Sequence, residues 1–374
     1  MLKQFRTVAA VALLTVTTYA VAVEMNGTHP DTYVVRKGDT LWDISARFLK
    51  KPWLWPEIWQ ANPQVKNPHL IYPGDVLSLA YLDRVTAQAG PRQEAPINTI
   101  PLADVEPFLK NLTVVDSFKE LPYVVGLEDN RLRASAGHQA YVVGLQDAQP
   151  GQRYLVVRPT VRYGQSRPSD DLDARGNNIP GSGNLWKDYV ANDQRGGLLG
   201  YELAQVNLGT LTQVAGGDTE ASTLRLEDSG REVRAGDRLL PLQARPYDLQ
   251  FIPHAPANPV ADGQLRVLAI SDTFTSGGPR DVIAISGGAS DGIDNGTVFS
   301  IWRSGSHVND LVKGMGTSRT DDALRNGASR VSLPDEYAGH AMVFRTFDKV
   351  SYALIMEGTK PTRLGYELKH PDAQ

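Results

Sequence analysis

The chain reads Tyr33-Val-Val-Arg-Lys-Gly-Asp-Thr-Leu-Trp-Asp-Ile-Ser45, then Trp59-Gln-Ala-Asn-Pro63, then Leu70-Ile-Tyr-Pro-Gly-Asp-Val-Leu77. A short strand is followed by a turn at Gly38 and by a helix that Thr40 caps, because an acid stands three residues later. Pro56 suits the first turn of a second helix, and Asn62-Pro63 ends that helix. With a closing strand near Val76, the pattern predicts a βααβ unit whose two helices share one face.

These residues resemble the LysM module, which binds the N-acetylglucosamine-containing backbone of peptidoglycan or chitin. The resemblance places the module at residues 31–81 and implies a shallow groove between two loops. One loop joins the first strand to the first helix, and the other joins the second helix to the second strand. The glycan-binding residues that it implies are Gly38, Asp39, Thr40, Leu41, Asn62, Pro63, Leu70, Ile71 and Tyr72.

Four tryptophans stand in this short module: Trp42, Trp53, Trp55 and Trp59. Aromatic rings dominate small cores, so core packing explains them; stacking of at least one ring on a sugar is the alternative. A tryptophan-rich insert between the helices departs from the usual LysM pattern and could alter the glycan preference.

The first residues are typical of a secretory leader. Lys3 and Arg6 precede a short apolar run, and Ala20-Val-Ala22 offers a cleavage site, which predicts a signal peptide over residues 1–22. The apolar run is short for a membrane span, although an uncleaved anchor remains the alternative. We therefore expect a periplasmic, wall-associated protein with no transmembrane segment after cleavage.

Composition argues against several functions. The net charge of −4 gives no basic surface for nucleic acid, and the lack of cysteine excludes disulfides and thiol nucleophiles. The histidines form no His-x-x-x-His pair. Near Asp171, a calcium-like pattern has arginine at its third ligand position. We expect no enzyme activity, metal or cofactor; a peptidoglycan hydrolase that uses paired carboxylates remains the alternative.

Beyond a polar linker at residues 83–100, short apolar runs separated by Gly, Asp, Asn and Pro predict a β-rich region. Two segments repeat: residues 150–158 match residues 295–303, and residues 234–241 match residues 363–371. We infer two repeated β units, at 101–252 and 260–374, each opened by the first segment and closed by the second. The fold class is therefore α+β.

Several features of these units are less determined. The polar stretches 165–200 and 304–332 are long enough to be functional or disordered. Residues 287–292 are interpreted as a hairpin loop, and Pro107 as an early residue of a helix of one or two turns.

The whole layout is similar to that of type IV pilus secretin-associated proteins, which combine a LysM domain with a C-terminal region like the flagellar outer-ring domain of the FlgT type. Residues 52–63, 101–109, 333–345 and 351–355 carry this resemblance. It implies a periplasmic anchor that ties an outer-membrane secretin ring to peptidoglycan. A wall-associated protein with another partner is the alternative.

Overall fold

A computed structural model describes residues 26, 29–66, 68, 71–79, 102–164, 170–172, 178–180, 197–227, 230–242, 251–271, 276–309 and 330–373. The predicted signal peptide and linker lie outside these residues. No helix in the described part of the chain is long and apolar enough to cross a membrane.

The N-terminal module has the predicted βααβ order. Its elements are β1 (Thr32–Val34), α1 (Leu41–Phe48), a 3-10 turn (Pro52–Leu54), α2 (Trp55–Gln60) and β2 (Val76–Ser78). The two strands pair antiparallel, with Tyr33 opposite Leu77. Thr40 and Asp43 form the predicted capping box, so the sequence signal for the helix start is confirmed.

Helix α3 (Leu102–Asn111) opens the C-terminal region, and it corrects the prediction for Pro107. The helix spans ten residues and carries Pro107 in its interior. A proline there removes one backbone donor and costs stability. Burial of Val105, Phe108 and Leu109 offsets that cost, as does Arg345, whose guanidinium donates to the carbonyl oxygens of Phe108 and Leu109.

The first β unit is a sheet of seven strands in the order β10-β5-β4-β11-β6-β9-β3. Because β9 also pairs with β10, six of these strands form a closed circuit, and β3 lies outside it on β9. The strands are β3 (Leu112–Val115), β4 (Tyr123–Leu127), β5 (Gln139–Val143), β6 (Arg153–Tyr163), β9 (Gly200–Gln213), β10 (Ser222–Leu226) and β11 (Arg238–Pro241).

The second β unit is a closed barrel in the order β12-β13-β18-β17-β14-β19. When only the six strands of each circuit are numbered along the chain, as in the rest of the text, both circuits run first, second, fifth, fourth, third, sixth. The strands of the barrel are β12 (Leu265–Ile270), β13 (Val282–Ile285), β14 (Val298–Arg303), β17 (Glu336–Thr346), β18 (Ser351–Gly358) and β19 (Glu367–Lys369). The identical order supports the inferred duplication.

The structure corrects two details of that duplication. The matched segments that end in Arg158 and Arg303 belong to β6 and β14, which are the third strands of their units and not the opening ones. Residues 287–292 are not a hairpin loop, because β13 pairs with β12 and β18 and not with β14. They contain a 3-10 turn, Ala289–Asp291, in a crossover connection.

Each unit carries a small hairpin between its third and fourth strands. The first unit has β7 (Asp170–Leu172) paired with β8 (Asn178–Pro180), and the second has β15 (His307–Asn309) paired with β16 (Arg330–Ser332). These hairpins fall in the two long polar stretches, so the described parts of both stretches hold strands at equivalent places. The α+β fold class is confirmed, while the domain boundaries stay a prediction.

A buried polar cluster joins the two units. The carboxylate of Glu202, in β9, is fully buried and accepts hydrogen bonds from Thr160 and Tyr163 of its own unit and from Tyr352 of the second, each 2.8 Å long. Such a carboxylate requires these donors, because an unpaired buried charge is costly. The cluster therefore fixes how the two units pack.

Candidate functional site

The two loops predicted to hold glycan lie side by side. The Val35 amide donates to the Asp75 carbonyl oxygen, and the Gly74 amide donates to the Val35 carbonyl oxygen; each donor–acceptor distance is 2.8 Å. These two bonds hold the turn after β1 against the turn before β2. The local folding of both turns therefore produces one continuous surface at this end of the module.

Asp39 shapes the first loop from inside. Its side chain is buried and accepts hydrogen bonds from the Tyr33 hydroxyl (2.6 Å), the Arg36 amide (2.8 Å) and the Arg47 guanidinium (3.0 Å). Burial raises the pKa of Tyr33, and the hydrogen bond to Asp39 adds to this shift. All of these contacts are internal, so the Asp39 side chain positions the loop.

Asn62 has the same function in the second loop. It is fully buried, and its amide donates to the carbonyl oxygens of Ile58 (2.7 Å) and Ser78 (2.9 Å). Its side-chain oxygen accepts from the Ser78 amide and from Gln64. The end of α2 is thereby tied to β2, which fixes the start of the loop.

The remaining predicted residues divide by exposure. Leu41 and Ile71 are buried, which leaves them to support the surface from below. Gly38 and Pro63 are exposed, and Thr40 and Tyr72 are partly exposed. Gly38 has φ +90°, and no atom lies within 4 Å of where its Cβ would stand. Its backbone is thus open to a ligand. Leu70 lies outside the described residues.

Sequence reasoning missed Tyr33 and Arg47, which hold Asp39 in place. The Arg47 guanidinium also donates to the Tyr33 hydroxyl, at a distance of 2.6 Å. An acid directly after a turn glycine, with tyrosine six residues before it and arginine eight after it, was the available signal. Without the fold, nothing in that spacing shows that the three side chains meet.

The tryptophans serve mainly as core. Trp42 and Trp55 are buried, and Trp59 packs near Trp55 with ring centroids 6.4 Å apart while donating to the Val65 carbonyl oxygen. Trp53, in the insert between the helices, contacts the second barrel: its ring centroid is 4.5 Å from that of His340. The insert therefore attaches the module to the barrel.

That attachment includes an ion pair and leaves the predicted groove uncovered. Lys51 Nζ lies 2.9 Å from an Asp372 carboxylate oxygen. A cavity of about 620 Å³ lies between the two parts, lined on the module side by Asn26, Ala46 and residues 49–53. None of the predicted glycan-binding residues that the structure describes lines this cavity. The loops and the docking face are distinct parts of the module.

In the described ranges, no group of three or more His, Asp or Glu side chains is placed to hold a metal ion. The predicted glycan-binding residues instead offer exposed backbone, a hydroxyl and a partly exposed aromatic ring beside apolar support, and Arg36 and Lys37 also lie exposed in the first loop.

Comparison with known proteins identifies the module. Residues 33–80 match the LysM domain family. The chain is also similar to the uncharacterized protein YqbP of Bacillus subtilis (strain 168), with 37% identity over 60 residues, which covers 13% of this chain and 27% of that protein. The match spans only about a quarter of that relative. The LysM domain suggests peptidoglycan binding.

Proposed function

We propose that this chain is a non-enzymatic, peptidoglycan-binding protein of the periplasm that anchors an envelope complex to the cell wall. The observation that carries the proposal is the LysM match at residues 33–80, together with two adjoining loops that the rest of the described chain leaves exposed. The complex that we propose as its partner is the outer-membrane secretin ring of a type IV pilus.

The binding chemistry follows from the surface of the groove. The open backbone at Gly38 approaches the glycan, since no side chain covers it. The Thr40 hydroxyl and the Tyr72 ring lie on the same two loops, while Leu41 and Ile71 support an apolar site for an N-acetyl methyl group. A shallow surface of this kind binds each sugar weakly, and several copies around a ring convert weak binding into firm attachment.

The proposal for the partner rests on the resemblance of the layout to secretin-associated proteins and on the form of the C-terminal region. The two joined β units contain no cysteine and no His-x-x-x-His motif, which suits a binding role. A wall tether on the ring would distribute the force that a retracting pilus exerts on its pore.

Sedimentation with purified peptidoglycan sacculi tests the wall-binding part. We expect the chain without its leader to pellet, and the same chain without residues 31–81 to stay in the supernatant. The variant Tyr72→Ala should pellet less, while Tyr141→Ala, which removes a tyrosine from β5 of the first unit, should pellet normally. Full pelleting without residues 31–81 would place the wall-binding site elsewhere.

Two further experiments test the rest. Co-purification from envelopes should recover a secretin, and recovery of a different complex would replace that partner. A zymogram on peptidoglycan should stay without a clearing band. A band at the mass of this chain would show a hydrolase.

A further inference from the structure

The two β units enclose a cleft that the proposed wall binding does not use. It has a volume of about 680 Å³. The inter-barrel cleft, as we call it, has a floor from the first unit, formed by Leu155, Val157, Leu203, Gln205, Leu240 and Pro241. Asn295 and residues 344–347 of the second barrel form the facing wall.

Strand β3 runs along this cleft, and among the described residues one of its edges is unpaired. It bonds to β9 on one side, and no other described strand pairs with it. All four of its residues, Leu112 to Val115, line the cleft. Successive side chains of a strand point to opposite faces, so a strand with every residue at the cleft presents its edge there.

The lining selects the side chains of an occupant. Leu155 and Leu240 are only partly covered, as are Val114, Val115 and Phe347. Apolar side chains therefore remain available on the floor and on both sides. The charged lining residues are Lys110 and Arg345, and no Asp or Glu lines the cleft. Lys110 also pairs with Glu106, which does not line the cleft, and Arg345 donates to the carbonyl oxygens of Phe108 and Leu109. The positive charge of the lining therefore lies mainly at Arg345.

We propose that the inter-barrel cleft binds an extended peptide segment of a protein partner, which adds as a strand to β3. Alternate apolar side chains of the segment contact the floor, and an acidic residue lies near Arg345. An open strand edge supplies backbone hydrogen bonds and the floor supplies side-chain selection, as in other cases of strand addition. The edge is about 13 Å long at about 3.3 Å per residue, which suits a short segment.

This proposal deepens the proposed function, because it names the chemistry by which residues 101–374 hold their partner. Its test does not depend on that partner. The probe is a fluorescein-labelled short peptide with valine at alternate positions, threonine between them and glutamate at both ends. Fluorescence anisotropy measures its binding to the chain without its leader.

We expect saturable binding that Leu240→Glu weakens by about tenfold or more, because a carboxylate on the floor repels the glutamates and loses apolar contact. Leu132→Glu is the matched control, since Leu132 is 89% exposed and lies outside the cleft. Leu155→Glu is the second variant, and the thermal unfolding of each variant shows that it is folded. Peptidoglycan pelleting should be unchanged in all three, which separates this test from that of the wall-binding site.

Three results would overturn the proposal. The first is no binding of the peptide, or equal binding by the parent chain and both cleft variants. The second result concerns two further peptides, one N-methylated at the odd-numbered amides and the other at the even-numbered amides. If both bind as tightly as the unmethylated peptide, strand addition is excluded. The third is a dimer in solution that Leu240→Glu dissociates, which would make the cleft an interface between two copies of this chain.

Discussion

At the scale of single residues, the two loops predicted to bind glycan depend on buried side chains that hold them in place. The LysM resemblance predicts Asp39 and Asn62 as glycan-binding residues, yet both side chains are buried and make their hydrogen bonds within the protein. Sequence alone locates both turns, because turn glycines and helix caps are local signals. Sequence alone does not distinguish a residue that contacts a bound glycan from one that supports the loop, because burial depends on contacts between residues distant in the chain.

Replacing Asp39 tests this distinction. We expect Asp39→Ala to lower the free energy of unfolding of the module by about 2–3 kcal/mol, because the buried Tyr33 hydroxyl and two partly buried donors, on Arg36 and Arg47, lose a charged acceptor. Tryptophan fluorescence during urea unfolding is the measurement, since Trp42, Trp53, Trp55 and Trp59 lie in the module. Asp43→Ala is the control: it removes an exposed capping contact and should cost about 1 kcal/mol. Equal losses would show that Asp39 does not hold the loop.

Stability at high pH should report on the buried cluster around Glu202. Burial raises the pKa of Tyr163 and of Tyr352 well above 10.0, and the Glu202 carboxylate adds to both shifts. The unfolded chain then releases protons near pH 10 that the folded chain retains, so this contribution to stability is present below that pH and falls as the pH rises through it.

We therefore expect the urea midpoint of the barrels to fall as the pH is raised beyond 10.0, the unshifted tyrosine value. In Tyr163→Phe the fall should be less steep, because that variant has one fewer phenol to ionise. Tyr141→Phe, outside the cluster, should keep the slope of the parent chain. Identical slopes in all three proteins would mean that the cluster does not set the alkaline stability.

At the scale of elements, the positions of the strands along the chain were far more predictable than which strands pair with each other. The apolar runs at Leu112–Val115 and Tyr123–Leu127 coincide with β3 and β4, because alternation and turn residues act locally. The crossover at residues 287–292 was wrongly interpreted as a hairpin, since glycines mark a turn but do not determine which strand pairs next. Pairing in a closed circuit depends on distant segments.

The insert in the N-terminal module offers an element-scale prediction. Trp53→Ala should free the module from the second barrel, because the ring that packs on His340 is lost. Lys51→Glu should act more weakly, since the ion pair with Asp372 is partly exposed and such pairs contribute about 0–1 kcal/mol.

Single-molecule energy transfer between labels at Gln60→Cys and Asp262→Cys measures the docking, and the chain has no other cysteine to label. We expect a narrow distance distribution in the parent chain and a broad one in Trp53→Ala. Lys66→Glu is the matched control for Lys51→Glu, because Lys66 is exposed and does not line the docking cavity. A distribution that Trp53→Ala leaves narrow would contradict this docking.

At the scale of the whole molecule, a weak repeat in sequence corresponds to a shared topology. The matched segments occupy the third and sixth strands of both units, and both units carry a hairpin between the third and fourth strands. The sequence reveals the repeat because the glycines of the turns stand at equivalent positions next to the matched strands of both units. How the units pack was not predictable, since it depends on single contacts such as Tyr352 with Glu202.

That packing predicts how the C-terminal region unfolds. Arg345, in the second barrel, binds the end of α3, which continues directly into β3 of the first sheet. With the Glu202 cluster, this contact should make both units unfold in one calorimetric transition. Arg345→Ala leaves the last carbonyl groups of α3 without that donor, and we expect the transition to separate into two.

Arg303→Ala is the matched control, because Arg303 is an exposed arginine of the same barrel whose ion pair, with Glu336, lies within that barrel. It should keep a single transition. Two transitions in the parent chain would show that the units are independent, and the inter-barrel cleft would then lack a fixed wall. A single transition that Arg345→Ala separates would instead make the contact between Arg345 and α3 the link that couples the unfolding of the two barrels.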